Sequence, residues 1–230
     1  MRAIFVEDIE NLVSIKDDEA HHLINVIRVK IGDEILVLDG KGTKIYAQIT
    51  DIKKNRIFIE QTNSSHSAKS DKIHLAIGLP KKEAFEEVLR NTTEMGISKI
   101  YYFKSQFFQQ DFVFNERVKR VLISSLIQSN NPYFPDLEKL ADLNSLISIF
   151  SQYDKIIYFC SHPNIPSTNF NLEKEDKILL IIGPEGGFSE AEENFLFKNS
   201  SLKVIHLPSF ILRAPTAVVA SMAWVMGKLS

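Results

Sequence analysis

The sequence has few of the features that mark disulfide-bonded or membrane-spanning proteins. Its 230 residues include one cysteine, Cys160, which excludes an intrachain disulfide framework and a zinc site built from cysteines. Cys160 ends an apolar run, so we expect a small, buried hydrophobic side chain there. The longest stretch of low polarity, residues 217–227, is shorter than the ~20 residues that span a bilayer. With no signal-peptide core near the start, we expect a soluble, cytoplasmic protein.

An excess of charge of either sign is also lacking. The 27 basic and 29 acidic residues give a net charge of -2. Up to residue 70 there are 10 basic and 11 acidic residues, so neither part of the chain is a basic module. Any nucleic-acid contact must therefore come from a local patch. The 44% of hydrophobic residues predicts an ordinary globular fold.

Short strands dominate the predicted structure of residues 1–70. Apolar runs at 35–38 and 57–59, a turn signal at Asp39-Gly40-Lys41-Gly42 and a continuing strand at 44–51 indicate a small β-barrel. One helix, at about residues 18–27, interrupts the strands. Residues 62–71 are small and polar and are predicted to be a linker.

From residue 72 the pattern changes to alternating strands and helices. Near-continuous apolar runs at 73–78, 155–160 and 177–182 are typical of buried parallel strands. The spacing predicts helices at 82–94, 115–127 and 189–199, strands at 99–103 and 203–207, and a final apolar helix. This part is expected to be an α/β domain whose ligand lies beyond the carboxyl ends of the strands.

A glycine-containing loop, residues 183–187, follows the predicted strand at 177–182. Ser189 and Glu192 form a capping-box pattern that fixes the start of the next helix. The loop matches neither the dinucleotide nor the P-loop pattern, and Glu185 would repel a phosphate. A ligand with ribose hydroxyls, an adenine edge or a positive centre suits it better. The alternative is a tight turn between strand and helix.

Several basic side chains stand out from their surroundings. Arg213 is the only basic residue between Lys203 and Lys228, so it must face a cleft or form a structural ion pair. Lys81 and Lys82 lie at a predicted helix start, where the helix dipole disfavours cations. This placement indicates either an anionic partner, such as a phosphate, or a solvated helix end. His22 and Arg28, on the barrel edge, are candidates for RNA contact or ordinary surface residues. No spacing of histidines indicates a metal site.

Taken in order, four motifs resemble those of one family. They are EAHHL with VIRVKIGD and DGKG in residues 19–42, PKK with TEMGI in residues 80–97, IGPEGGFSEAE at 182–192, and FILRAPTA at 210–217. This combination resembles the RsmE-type 16S rRNA methyltransferases of the SPOUT superfamily, across essentially the whole chain. The resemblance implies a small N-terminal PUA-like β-barrel for RNA binding, residues 1–70 including the linker. It also implies a C-terminal SPOUT α/β domain with a trefoil knot, residues 71–230.

The resemblance further implies an activity and a set of site residues. The expected reaction is methylation of uridine N3 in the 16S rRNA of the small ribosomal subunit, with S-adenosylmethionine as cofactor and a homodimer as the working form. Arg213 would stabilise the uridine anion, and Glu185 would act as a base or hold the cofactor. The implied cofactor site comprises Ile182, Gly183, Glu185, Gly186, Gly187, Leu207, Ile211, Leu212 and Arg213, with Ser161 and His162 on the rim. The implied RNA-binding residues are Arg2, His22, Arg28, Lys81 and Lys82.

Three departures from the family pattern keep alternatives open, and one is that residues 106–111 read QFFQQD where the family usually has a basic segment. Pro215 stands where many members have a glutamate, and residues 128–132 lack an arginine that many members carry. One alternative is a non-catalytic ribosome-binding or assembly factor of the same fold. Another is a SPOUT methyltransferase with a different RNA target.

Overall fold

The computed structural model describes residues 2–10, 12–107, 111–162 and 165–229. The chain forms two compact units. The first comprises residues 1–69 together with residues 123–134, and the second comprises residues 70–122 together with residues 135–230. None of the helices in these described ranges is both long enough and apolar enough to cross a membrane.

A curled five-stranded sheet forms the first unit. Its strands are β1 (Arg2–Phe5), β2 (Ser14–Lys16), β3 (Glu34–Leu38), β4 (Thr43–Lys53) and β5 (Arg56–His66), in the spatial order β1-β3-β4-β5-β2. β1 runs parallel to β3, and the other neighbours are antiparallel. The long β4–β5 pair changes register twice, near Tyr46 and near Ile49. Such irregularities bend a strand and increase its twist, which curls the sheet.

One face of this sheet carries the core of the first unit. Alternate residues of β3 and β4, such as Ile35, Val37 and Ile45, point into it, as the two-residue period of a strand requires. Helix α1 (Asp17–His21) continues into a π-helical segment (His22–Ile27) and adds Ala20 and Leu23 to the same core. On the other face, Leu126 packs with Leu36 and Leu38. Residues 123–134 are therefore part of this unit's packing.

The second unit is built on a six-stranded parallel sheet. Its strands are β6 (Ile73–Gly78), β7 (Lys99–Phe103), β8 (Asp136–Lys139), β9 (Lys155–Phe159), β10 (Ile178–Ile182) and β11 (Leu202–Ile205), in the order β11-β9-β10-β6-β7-β8. Every pair of neighbours is parallel. The central strand β10 is buried along its whole length, which explains its uninterrupted apolar sequence.

The helices are α2 (Lys82–Glu94), α3 (Glu116–Ser129), α4 (Leu143–Ser148), α5 (Glu190–Phe197) and α6 (Ala214–Leu229), with a short 3-10 helix at Phe150–Gln152. α2 begins and ends where the sequence predicts. α5 begins at the predicted capping box, in which Ser189 accepts from the Glu192 amide and Glu192 accepts from the Ser189 amide. Pro215 lies in the first turn of α6, where its missing amide hydrogen leaves no helical bond unmade.

The predicted parallel α/β sheet is confirmed, but the predicted linker at 62–71 is wrong for its first half. Residues 62–66 belong to β5, and residues 63–66 pair with residues 43–46 of β4. These small polar residues are exposed, so the backbone pairing that makes them a strand leaves no apolar signal. Strands β1, β2 and β8 and helix α4 were also not predicted. Each is short, and β8 is mostly exposed.

Candidate functional site

Three adjacent strands of the second unit end at one cavity. The strands β9, β10 and β11 lie side by side, and the loops that follow them form the walls. The volume is about 550 Å³, within the roughly 300–1,000 Å³ of small-molecule sites. The cavity therefore lies where an open α/β sheet is expected to bind its ligand.

The glycine loop after β10 is fixed at both ends. Gly187 has a φ of 71°, a left-handed conformation that glycine adopts without strain, and its amide donates to the Pro184 carbonyl at 2.9 Å. On the helix side, the buried Phe188 ring stacks on Phe103, with ring centroids 6.0 Å apart. The loop also lies tightly against β6, since a Cβ on Gly78 would come within 2.6 Å of Pro184 Cδ. The loop is thus a preformed wall of the cavity.

Glu185 at the tip of this loop has a protein partner. Its two carboxylate oxygens accept from the Lys81 amide, at 3.0 and 3.3 Å. Lys81 occupies the N-cap position of α2, and its backbone donor would otherwise be unpaired. The carboxylate therefore ties the glycine loop to the start of α2, although the Glu185 side chain also lines the cavity.

A buried carboxylate contacts Tyr158 of β9, one of the residues that line the cavity. Glu193 of α5 is only 6% exposed, and its Oε1 accepts a hydrogen bond of 2.6 Å from the Tyr158 hydroxyl. His162 Nε2 lies 3.3 Å from the other carboxylate oxygen. Burial and the Glu193 carboxylate raise the pKa of the Tyr158 hydroxyl, so it stays a hydrogen-bond donor. Burial also raises the pKa of the Cys160 thiol, in keeping with the buried hydrophobic residue that the sequence predicts.

The loop after β11 supplies the remaining wall and is mostly apolar. Phe210 and Ile211 are 96% and 89% exposed although both line the cavity. His206 also lines it, and its Nε2 is buried with no hydrogen-bond partner in the part of the chain that the structure describes. Such an atom is costly to leave unpaired and is suited to a hydrogen bond with a bound molecule.

Most residues that the resemblance assigns to a cofactor site come together here. Eight of them line the cavity: Ser161, Ile182, Gly183, Glu185, Gly187, Leu207, Ile211 and Leu212. Gly186, Arg213 and His162 do not line it. Arg213 is exposed between two lining residues, Leu212 and Ala214, and its side chain has no ion pair among the described residues. Of the two alternatives that the sequence leaves for Arg213, a cleft or a structural ion pair, the ion pair is not found among the described residues.

Sequence reasoning missed several lining residues, including Tyr158, Cys160 and His206. The first two lie in an apolar run that indicates only a buried strand. His206 follows β11 directly, so its place at the carboxyl end of a parallel strand was the available signal.

The residues assigned to RNA lie on both units. Arg2 and His22 line one cavity of the first unit. Arg28 is exposed and ends the π-helical segment with a left-handed φ of 60°. Lys81 and Lys82 are exposed at the start of α2 in the second unit.

Comparisons with known proteins match this architecture. A family model for an RNA methyltransferase domain matches residues 67–226, and one for an RNA methyltransferase PUA domain matches residues 15–61. The chain is 30% identical to the ribosomal RNA small subunit methyltransferase E 2 of Borreliella burgdorferi, over 93% of this chain and 90% of that protein. It is 28% identical to the ribosomal RNA small subunit methyltransferase E of Rickettsia conorii, over 91% of this chain and 86% of that protein.

A solved structure shares the fold over the full length. The ribosomal RNA small subunit methyltransferase E of Neisseria gonorrhoeae, crystallised with S-adenosyl methionine, superposes with a TM-score of 0.75 at 24% identity. The match covers 100% of this chain and 98% of that one. Since the methyltransferase model spans most of the chain and the PUA model covers much of the first unit, the chain belongs to the RNA methyltransferase family that includes ribosomal RNA small subunit methyltransferase E.

Proposed function

We propose that the protein transfers a methyl group from S-adenosylmethionine to N3 of a uridine in the 16S rRNA of the small ribosomal subunit. The observation that carries this proposal is the cavity at the ends of β9, β10 and β11, where the glycine loop and the 206–212 loop face each other. Relatives that share nearly the whole chain bear the name of a small-subunit rRNA methyltransferase.

The chemistry of the cavity suits S-adenosylmethionine. Leu207, Ile211 and Leu212 provide apolar surface for an adenine ring. Ser161 and the unpartnered Nε2 of His206 provide hydrogen-bonding groups for the ribose or the amino-acid portion. Glu185 would repel a phosphate but tolerates a cationic sulfonium. We assign the eight lining residues to cofactor binding, and keep Gly186, Arg213 and His162 as further members of the site.

The cofactor supplies an electrophilic methyl group on a positively charged sulfur, which is a good leaving group. The protein must then orient the uridine, and positioning of this kind contributes up to roughly 7–11 kcal/mol in ideal systems. The uridine N3 must also lose its proton, and we assign stabilisation of the resulting anion to the exposed, unpaired guanidinium of Arg213. Glu185 is either the base that takes this proton or the anchor of the loop. Its contact with the Lys81 amide favours the anchor, in which case solvent water accepts the proton.

We further propose that residues 1–70 bind the RNA through Arg2, His22 and Arg28. Residues 71–230 carry the methyltransferase site and contribute Lys81 and Lys82 to RNA binding. The C-terminal part is proposed to contain the trefoil knot of its superfamily. A homodimer would cover the exposed apolar side chains of the α6 region, among them Phe210, Ile211, Val219 and Met226. We propose that the protein acts in the cytoplasm, where small subunits are assembled.

The decisive experiment incubates the protein with unmethylated small subunits and labelled S-adenosylmethionine and maps the methylated nucleotide. We expect label on N3 of one 16S uridine. Arg213→Ala should lose most of this activity, whereas Lys228→Ala, at the far end of α6, should match the wild type. Wild-type turnover by Arg213→Ala would contradict the assigned role. Cofactor binding with label elsewhere would indicate another RNA target, and neither binding nor label would indicate a non-catalytic ribosome factor.

A further inference from the structure

A second cavity, unconnected with the proposed cofactor site, lies within the first unit. It measures about 440 Å³ and lies between β1, the helical segment of residues 17–27, and residues 123–127 of α3. The walls are mainly apolar and include Phe5, Leu23, Ile27, Ile123 and Ile127. Ile123 and Ile127 are one helical turn apart, so they present adjacent side chains to the same space.

The backbone along one wall of this cavity is unusual. Residues 22–27 form a π-helical segment, and the Val29 amide reaches back to the Leu23 carbonyl at 3.1 Å. Asp17 and Arg28, at the two ends of the helical stretch, both have left-handed φ values although neither is a glycine. π-helical turns and left-handed non-glycine residues are both enriched at functional sites.

The mouth of the cavity carries charges of both signs. Arg2 and His22 supply nitrogen donors, and Asp18 and Glu19 supply carboxylates. All four side chains are exposed, and none has a hydrogen bond or ion pair within the described ranges of the chain. Side chains of opposite charge around one opening, left without protein partners, are available to a ligand that has donors, acceptors and a phosphate.

We propose that this cavity takes one unpaired nucleobase of the RNA substrate, and that this base carries an exocyclic amino group. The inference rests on the proposed rRNA methyltransferase function. Apolar walls cover the faces of an unstacked base, as in many RNA-binding sites. The carboxylates of Asp18 and Glu19 accept from an amino group, as carboxylates do with cytosine N4. Arg2 and His22 face the attached phosphate.

The carboxylates of Asp18 and Glu19 indicate that this base is not the uridine that is methylated. Uracil presents two carbonyl oxygens and one N–H, so paired carboxylates would repel most of its edge. Cytosine, adenine and guanine each present an amino group. The cavity therefore binds a second nucleotide. Recognition of that nucleotide makes the choice of target depend on the identity of a second base and on whether that base is unpaired.

The test fills the cavity. Ile123→Trp places an indole in the space, and Ser124→Trp, on the exposed side of the same helix, is the matched control. With wild-type cofactor Kd, Ile123→Trp should raise the KM for unmethylated small subunits by about 5- to 150-fold, the range for losing one stacked base. Ser124→Trp should leave this KM unchanged. A wild-type KM for Ile123→Trp would overturn the proposal.

A second measurement does not depend on catalysis or on a cavity-filling side chain. Isoleucine-methyl NMR spectra of the full-length protein are recorded with added CMP or UMP. We expect CMP to shift the methyl signals of Ile27, Ile123 and Ile127 more than UMP does, and Asp18→Asn/Glu19→Gln to remove the difference. Equal or larger shifts with UMP would overturn the proposal. A preference for CMP in a protein that does not methylate subunits would keep the base site and discard the proposed enzymatic function.

Discussion

Replacing Gly78 by alanine tests whether the close approach of β6 to the glycine loop shapes the proposed cofactor cavity. Gly78 ends β6, and a Cβ there would lie 2.6 Å from Pro184 Cδ, 3.1 Å from Pro184 N and 3.2 Å from Phe188 Cε1. Pro184 belongs to the loop backbone and Phe188 is buried, so neither neighbour is a flexible side-chain end that can swing away. The loop must therefore retreat by roughly 1 Å to restore ordinary contact distances.

The cost follows from two opposing effects. Overpacking of this kind destabilises a folded protein by about 1–3 kcal/mol. Alanine also restricts the unfolded chain, which returns roughly 0.4–1 kcal/mol. A net loss of about 1–2 kcal/mol should lower the Tm by about 2–8 °C for a chain of this size. The displaced wall should lower kcat/KM by up to about 100-fold, as misplacements near 1 Å do.

Calorimetry, cofactor titration and the methylation assay measure these effects together. Gly227→Ala is the matched control, since a Cβ there meets nothing within 4 Å and the residue lies in α6. That variant should keep wild-type activity and gain up to about 1 kcal/mol of stability. If Gly78→Ala keeps the wild-type Tm and cofactor Kd, the loop is not held against β6 as the structure places it.

Two further predictions concern buried polar groups of the second unit. Tyr158→Phe removes the donor to the buried Glu193 carboxylate and should cost about 1–3 kcal/mol in urea unfolding. Tyr102→Phe, at a half-buried tyrosine whose hydroxyl has no hydrogen bond among the described residues, should cost less than about 0.5 kcal/mol. Equal losses for the two would show that the Tyr158 bond contributes little. His74 is buried with its Nδ1 2.6 Å from the Tyr153 hydroxyl, and burial lowers its pKa below the ordinary 6.5, against the opposing charge of Asp71. As the pH falls, the His74 imidazole therefore becomes protonated in the unfolded chain before it does in the folded protein. The contribution of neutral His74 to the free energy of unfolding is present above pH 6.5 and is lost as the pH falls below it. Urea unfolding between about pH 7.5 and 5.5 should show a steeper loss for the wild type than for His74→Gln, and parallel slopes would refute the assignment.

Local sequence patterns predict the central strands and the start of α5 well, for a physical reason. The strand at 178–182 is buried along its length, so nearly every side chain must be apolar. The Ser189–Glu192 capping box satisfies backbone donors within four residues, so it is visible without tertiary information. Strand β8 and the end of β5 are defined by backbone pairing at exposed positions, where side chains carry little constraint.

The contacts that complete the candidate site lie far apart in sequence. Glu185 accepts from the amide of Lys81, 104 residues earlier, and Glu193 accepts from Tyr158, 35 residues earlier. A glutamate in an amphipathic helix ordinarily faces solvent, so no local pattern distinguishes the buried Glu193 from its exposed neighbours. The family resemblance indicated the loops, whereas only the fold shows which donor each carboxylate meets.

The discontinuous first unit has a consequence for how the chain is made and divided. Leu126, which is fully buried against Leu36 and Leu38, leaves the ribosome only after residues 70–122 of the second unit have been synthesised. The N-terminal sheet therefore emerges with one apolar face uncovered and must wait for residues 123–134 before its packing is complete. A cut at residue 70 would leave that face permanently open, so a minimal fragment that retains the N-terminal sheet with complete packing must carry the 123–134 segment with it.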